Sequence, residues 1–107
     1  MIPSSVPIFV CTEPLDMRRS FDGLALAVQQ KLNEDPRGGG LFVFVNRRLN
    51  RLKVLWFERN GYCLLYKRLH RATFELPGGA GSLGVRIDAA ALGRILQGVA
   101  RTRVRAA

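Results

Sequence analysis

Asn60-Gly61, set between two runs of alternating apolar residues, restricts the fold of this chain more than any other feature. Asn-Gly fills the two central positions of a type I′ turn at little steric cost, so the runs Leu52–Glu58 and Tyr62–Leu69 are predicted to form an antiparallel hairpin. A turn on Asn60-Gly61 sets Arg59 opposite Tyr62, Phe57 opposite Leu64, Leu55 opposite Tyr66, Lys53 opposite Arg68 and Arg51 opposite His70. A third run, Leu41–Asn46, precedes the hairpin. With Arg47–Asn50 as a four-residue loop, Asn46 faces Arg51, Phe44 faces Lys53 and Phe42 faces Leu55. The result is an antiparallel meander with two unlike faces. Val43, Val45, Leu52, Val54, Trp56, Cys63, Leu65 and Leu69 make one a core face, with Glu58 and Lys67 at its margins. The other mixes Phe42, Phe44, Leu55, Phe57, Leu64 and Tyr66 with Arg51, Lys53, Arg68 and His70.

The flanking segments supply helices. Val6–Thr12 reads as a short strand, after which Phe21, Leu24, Ala25, Val28 and Leu32 recur at helical spacing. This predicts a helix over about 16–33 with Asp16 as its N-cap, ended by Pro36-Arg37-Gly38-Gly39-Gly40. Pro77-Gly78-Gly79-Ala80-Gly81 reads as a mobile loop, Val85–Ile87 as a strand, and Asp88 as the N-cap of a helix over about 88–99 carrying Ala91, Leu92, Ile95, Leu96 and Val99. At 107 residues there is room for one domain. The expected architecture is therefore α+β: residues 1–107 as a single domain in which an antiparallel β-meander packs two helices.

Charge narrows the function. The chain carries 17 Lys and Arg against 8 Asp and Glu, a net charge of +9, which predicts attraction to a polyanion. Residues 1–35 are net −2 and residues 36–107 net +11, so any anion-binding surface belongs to the second part. Arginine, which suits bidentate phosphate contact, supplies 14 of the 17 positive charges. Between Arg47 and Arg71 eight Lys and Arg are interleaved with Phe57, Tyr62 and Tyr66, and only Glu58 opposes them. Lys53 directly opposite Arg68 is unfavourable unless an anion or carboxylate sits nearby. Two readings follow. In one, Arg47, Arg48, Arg51, Lys53, Lys67, Arg68 and Arg71 contact DNA phosphates while Phe57 and Tyr66 stack on bases. In the other, the basic face is merely solvated and a helix covers its aromatics. The loop Arg47-Arg48-Leu49-Asn50-Arg51 also suits a β-ribbon tip that grips a nucleic-acid backbone.

Catalytic chemistry has little footing. Asp16, Asp22, Glu58, Glu75 and Asp88 fall on cap and turn positions rather than converging for metal-assisted phosphoryl transfer. His70 has no evident nucleophile or metal partner, and the glycines at 38–40 lack the Gly-Lys-Ser/Thr of a phosphate loop. Cys11 and Cys63 lie in apolar runs outside any metal-ligand spacing, which predicts buried free thiols. No cofactor or metal is expected. No apolar run approaches the ~20 residues of a membrane span, and no signal peptide is recognisable, so the expectation is a soluble cytoplasmic protein.

Several ordered motifs carry a resemblance that covers nearly the whole chain. Met1-Ile2-Pro3, Asp16-Met17-Arg18-Arg19-Ser20-Phe21-Asp22-Gly23-Leu24, Leu41-Phe42-Val43-Phe44-Val45-Asn46-Arg47-Arg48, Arg51-Leu52-Lys53-Val54-Leu55 and Gly61-Tyr62-Cys63-Leu64-Leu65-Tyr66-Lys67-Arg68-Leu69 are its segments. Together they resemble the TnpB accessory protein of the IS-sixty-six family of bacterial insertion sequences. The chain departs from that pattern at His70, Ala72 and Leu76-Pro77, where the family shows an acidic residue, a glycine and Trp-Pro. The resemblance implies a non-catalytic role in transposition beside a separate transposase of the same element. It carries over no catalytic residues. DNA and that transposase are the expected partners, an adaptor that binds the transposase alone being the alternative.

Overall fold

The computed structural model of the chain describes residues 5–78 and 82–100. In chain order the elements are β1 (Ile8–Cys11), α1 (Phe21–Lys31), β2 (Leu41–Val45), β3 (Arg51–Glu58), β4 (Gly61–Arg68), β5 (Ala72–Thr73), β6 (Gly84–Ile87), α2 (Ala89–Gln97) and β7 (Val99–Ala100). Five strands form one sheet in the order β4-β3-β2-β1-β6, and β5 pairs with β7 in a small ribbon. The α+β class and the β2-β3-β4 meander are as expected. The basic tail Arg101, Arg103 and Arg105 lies outside the described residues, as do Met1-Ile2-Pro3 and the stretch 79–81.

One pair is not antiparallel. β1 runs parallel to β2, with Ile8 beside Leu41 and Val10 beside Val43, because the chain between them crosses over the sheet through α1. β6 then adds antiparallel to the free side of β1. The central strands are thus covered on both faces. On one, Leu24, Ala27 and Val28 of α1 bury Phe42, Phe44 and Leu55 together with Cys11, Leu15 and Met17. On the other, Leu92 and Ile95 of α2, with Phe74, bury Val10, Val43, Val45, Leu52 and Val54. Each fully buried large apolar side chain contributes roughly 1.5–3 kcal/mol, so α1 and α2 are held by the sheet rather than by local propensity.

The helix starts differ in kind. Asp88 accepts a hydrogen bond from the Ala91 N–H at 2.8 Å and caps α2 as expected. Asp16 does not cap α1. That helix begins at Phe21, and Asp16 instead accepts from the Arg18 N–H at 2.8 Å and from the Arg18 guanidinium, closing a turn ahead of the helix. Gly98 ends α2 at φ +76, and a Cβ there would sit 2.6 Å from Leu69 Cδ1.

The hairpin turns one residue earlier than Asn60-Gly61. Arg59 and Asn60 take the two positive-φ positions (51° and 72°), Glu58 pairs with Gly61, and β4 slides by two residues against β3. A two-residue slide leaves every side chain on its predicted face, so the apolar pattern does not discriminate between the registers. Local contacts do. Phe57 meets Tyr62 edge to face at 5.1 Å, and Lys53 lies opposite Tyr66, with Nζ 4.7 Å from the ring centre, rather than opposite Arg68. The β2–β3 register is as predicted, Phe44 facing Lys53 and Phe42 facing Leu55.

Candidate nucleic-acid interface

Because β1 and β2 are parallel, their C-terminal ends meet at one edge of the sheet, where β3 begins and β4 ends. Four segments converge there: the β1–α1 connection, the β2–β3 loop, the start of β3, and the chain leaving β4. Arg18 and Arg19 come from the first, Arg47 and Arg48 from the second, Arg51 from the third, and Arg68, His70 and Arg71 from the fourth.

Asn46 builds the β2–β3 loop. Its Oδ1 accepts from the N–H groups of Asn50 (3.0 Å) and Arg51 (2.9 Å), and its Nδ2 donates to Asn50 Oδ1 at 2.7 Å. Leu49, at φ 58°, packs against the α2-side core, which leaves Arg47 and Arg48 exposed at the tip. The loop is then stitched to its neighbour, since Leu69 N–H donates to Asn50 O at 2.8 Å and Phe74 N–H to Leu49 O at 2.7 Å. His70 and Arg71 lie between those two bonds and are exposed. On the other side Leu15 N–H donates to Val45 O at 2.9 Å. A shallow cleft of about 440 Å³ runs between the two loops, lined by Leu15, Asp16, Met17, Asn46, Arg47 and Arg48.

Lys53 ties these pieces from beneath. It is 5% exposed, and its Nζ donates to the carbonyl oxygens of Met17 and Arg19, both at 2.7 Å. Its side chain therefore holds the segment carrying Arg18 and Arg19 against the sheet. Arg51 faces Arg68 across β3 and β4, a like-charge pairing, and its Nη1 donates to the Tyr66 hydroxyl at 2.8 Å.

One carboxylate, Asp16, offsets part of this concentration of charge. Among the described residues the ion pairs are Arg18–Asp16 at 2.6 Å and Lys31–Glu13 at 2.8 Å. The Arg18 guanidinium holds the Asp16 carboxyl down at about 2. Arg19, Arg47, Arg48, Arg51, Arg68 and Arg71 have no carboxylate within ion-pair distance among the described residues. Elsewhere the acids have local roles: Asp88 caps α2, and Glu58 accepts from Trp56 Nε1 at 3.0 Å. No three His, Cys, Asp or Glu side chains converge as metal ligands among the described residues. Burial pushes the Cys11 thiol up, as expected of a core cysteine. No described helix is long and apolar enough to cross a membrane.

The family described as "IS66 Orf2 like protein" matches residues 6–106, nearly the whole chain. The chain belongs to the IS66 Orf2-like family. That membership supports a role as an insertion-sequence accessory protein. The chain is also similar to two Sinorhizobium fredii proteins. It is 41% identical to uncharacterized protein y4hO over 101 residues, covering 92% of this chain and 87% of that one. It is 37% identical to uncharacterized protein y4jC over 70 residues, covering 65% and 60%. No solved structure matches.

For this IS66 Orf2-like chain, the residues expected to contact phosphate divide into two groups. Arg47, Arg48, Arg51, Arg68 and Arg71 gather at one sheet end. Lys53 and Lys67 do not belong with them. Lys53 is buried and committed to two backbone carbonyls, and Lys67 points to the α2 side, where its Nζ donates to Leu96 O at 2.6 Å. Of the stacking candidates, Tyr66 is 48% exposed at the basic end. Phe57 is not there. It lies near the hairpin turn, roughly 20 Å along β3 from Arg51, with the Arg37 guanidinium 5.1 Å from its ring centre. The expected basic sheet face is also corrected. Phe42, Phe44 and Leu55 require cover, α1 supplies it, and the cations are displaced to the sheet's end. Arg18 and Arg19 were not foreseen at this end. Reading Val6–Thr12 and Leu41–Asn46 as parallel partners is the step that would have brought their following loops together.

Proposed function

We propose that this insertion-sequence accessory protein contacts element DNA through the arginine cluster at the loop end of its sheet. Arg47 and Arg48 reach from the tip of the β2–β3 loop, Arg51, Arg68 and Arg71 flank them, and Arg19 extends the surface toward α1. Tyr66, half exposed beside Arg51, is the proposed stacking partner for an unpaired base. The observation that carries this reading is the set of six guanidinium groups without carboxylate partners among the described residues, presented by loops that hydrogen bonds and Lys53 hold in place. Guanidinium groups so arranged suit the spaced phosphates of a nucleic-acid backbone, and their binding is sequence-tolerant and salt-sensitive. The transposase of the same element is the second proposed partner, acting on the same DNA.

A mobility-shift titration with terminal-repeat duplex, run with and without the transposase, tests this. The proposal expects a shift by the protein alone that Arg48→Glu and Arg68→Glu each weaken. Tight capture of the transposase with no DNA binding near physiological salt contradicts it and favours an adaptor that meets acidic protein surface.

A further inference from the structure

β4 ends the five-stranded sheet, and its outer edge lies away from the arginine cluster for most of its length. Glu58 and Gly61 flank a two-residue turn and so form a hydrogen-bonded pair, and alternation makes Trp56–Cys63, Val54–Leu65 and Leu52–Lys67 hydrogen-bonded pairs too. The N–H and C=O groups of Tyr62, Leu64 and Tyr66 therefore point outward. Among the described residues the strand ladder stops there. An eight-residue edge of this kind, without proline or bulge, is a template for another strand.

The same edge borders an apolar cleft. About 460 Å³ opens between the sheet and α2, lined by Leu41, Val54, Trp56, Leu65, Leu92 and Leu96 among others. Leu65, 39% exposed, stands at its mouth on β4. Side chains of paired strands project to the same face, so residues opposite Cys63 and Leu65 on an added strand point toward this cleft. Charge at the two ends of the edge is positive, with exposed Lys67 and Arg68 at one and Arg59 at the other, and Glu58 the single acid beside them. A second copy of the chain would bring another +9 to this edge, whereas an acidic segment neutralises it.

We infer that β4 is a docking edge for an extended peptide segment of a partner protein, one with apolar side chains at alternate positions and acidic residues flanking them. Main-chain hydrogen bonds to Tyr62, Leu64 and Tyr66 provide the attachment, and the cleft beside Leu65 selects the apolar side chain. The edge shares Tyr66 and Arg68 with the proposed DNA surface, whereas Leu64 and Leu65 lie outside it, so substitutions at those two positions test peptide docking separately from DNA contact.

The test uses the full chain and a fluorescein-labelled peptide of about ten residues in which valine alternates with threonine and aspartates occupy both ends. Saturable binding below about 1 mM is expected, with the amides of Tyr62, Leu64 and Tyr66 gaining protection from hydrogen exchange. Leu64→Pro removes an outward N–H without breaking a bond to β3, and Leu65→Asn makes the cleft mouth polar without changing the net charge. Each is expected to weaken binding at least about tenfold while leaving DNA affinity unchanged, and alternate N-methylation of the peptide is expected to abolish it. No binding, binding indifferent to N-methylation, or perturbation mapped away from β4 overturns the inference. Slow exchange of those outward amides before any peptide is added also overturns it, because another segment or a second copy then already occupies the edge.

Discussion

Lys53 shows how a cation can be essential to a basic surface without being part of it. Its ammonium bonds two backbone carbonyls 34 and 36 residues away in sequence, at Arg19 and Met17. Lys53→Met keeps the apolar stem but leaves those carbonyls without their donor, which is expected to lower stability by about 1–3 kcal/mol in urea unfolding and to loosen the amides of residues 17–20. An unchanged midpoint contradicts this placement. Asp16 offers a second check. Its carboxyl is depressed to about 2 by the Arg18 guanidinium, so its contribution to folding is complete above the ordinary carboxylate value near 3.8 and disappears as pH falls through about 2. A carboxyl titration followed by NMR is expected to place the Asp16 midpoint near 2, and a midpoint near 4 shows that the pair with Arg18 is not formed.

The hairpin is where element and register part company. Asn60-Gly61 announced the turn, and the turn is there, but its two positive-φ positions fall on Arg59 and Asn60. Moving the favoured dipeptide onto those positions with Arg59→Asn and Asn60→Gly is therefore expected to raise stability by about 1 kcal/mol in thermal or urea unfolding. Loss of stability points to the register with the turn on Asn60-Gly61. Asp88→Ala is expected to remove about 1 kcal/mol through the lost cap on α2, a smaller effect than opening the core around Leu92. Periodicity made the meander, both helices and the Asp88 cap legible from residues alone. It did not reveal the parallel β1–β2 pair, because strand direction depends on the path of the crossover rather than on alternation. Nor did it reveal that α1 covers Phe42, Phe44 and Leu55, since a strand buried on both faces reads as a plain apolar run.

The whole molecule separates apolar and charged work along the length of its sheet. Two helices close over the middle, and the loops at one end carry cations from segments far apart in sequence. Arg47, Arg48, Arg51, Arg68 and Arg71 were visible in advance as a charge-dense stretch, whereas Arg19 joins them only through the crossover. Lys53 and Lys67 were misplaced for a physical reason: a long amine reaches backbone carbonyls as readily as solvent, and composition alone does not say which. The salt dependence of duplex binding, followed by fluorescence anisotropy, probes the arginine cluster most directly. With about five phosphates neutralised, the logarithm of affinity is expected to fall against the logarithm of salt with a slope of roughly −4 to −5. Arg48→Glu and Arg68→Glu together should flatten that slope by about two, while the same reversal at Arg37 and Arg59, near the hairpin turn, leaves it unchanged. A flat dependence, or one that responds equally to both pairs of substitutions, contradicts the account.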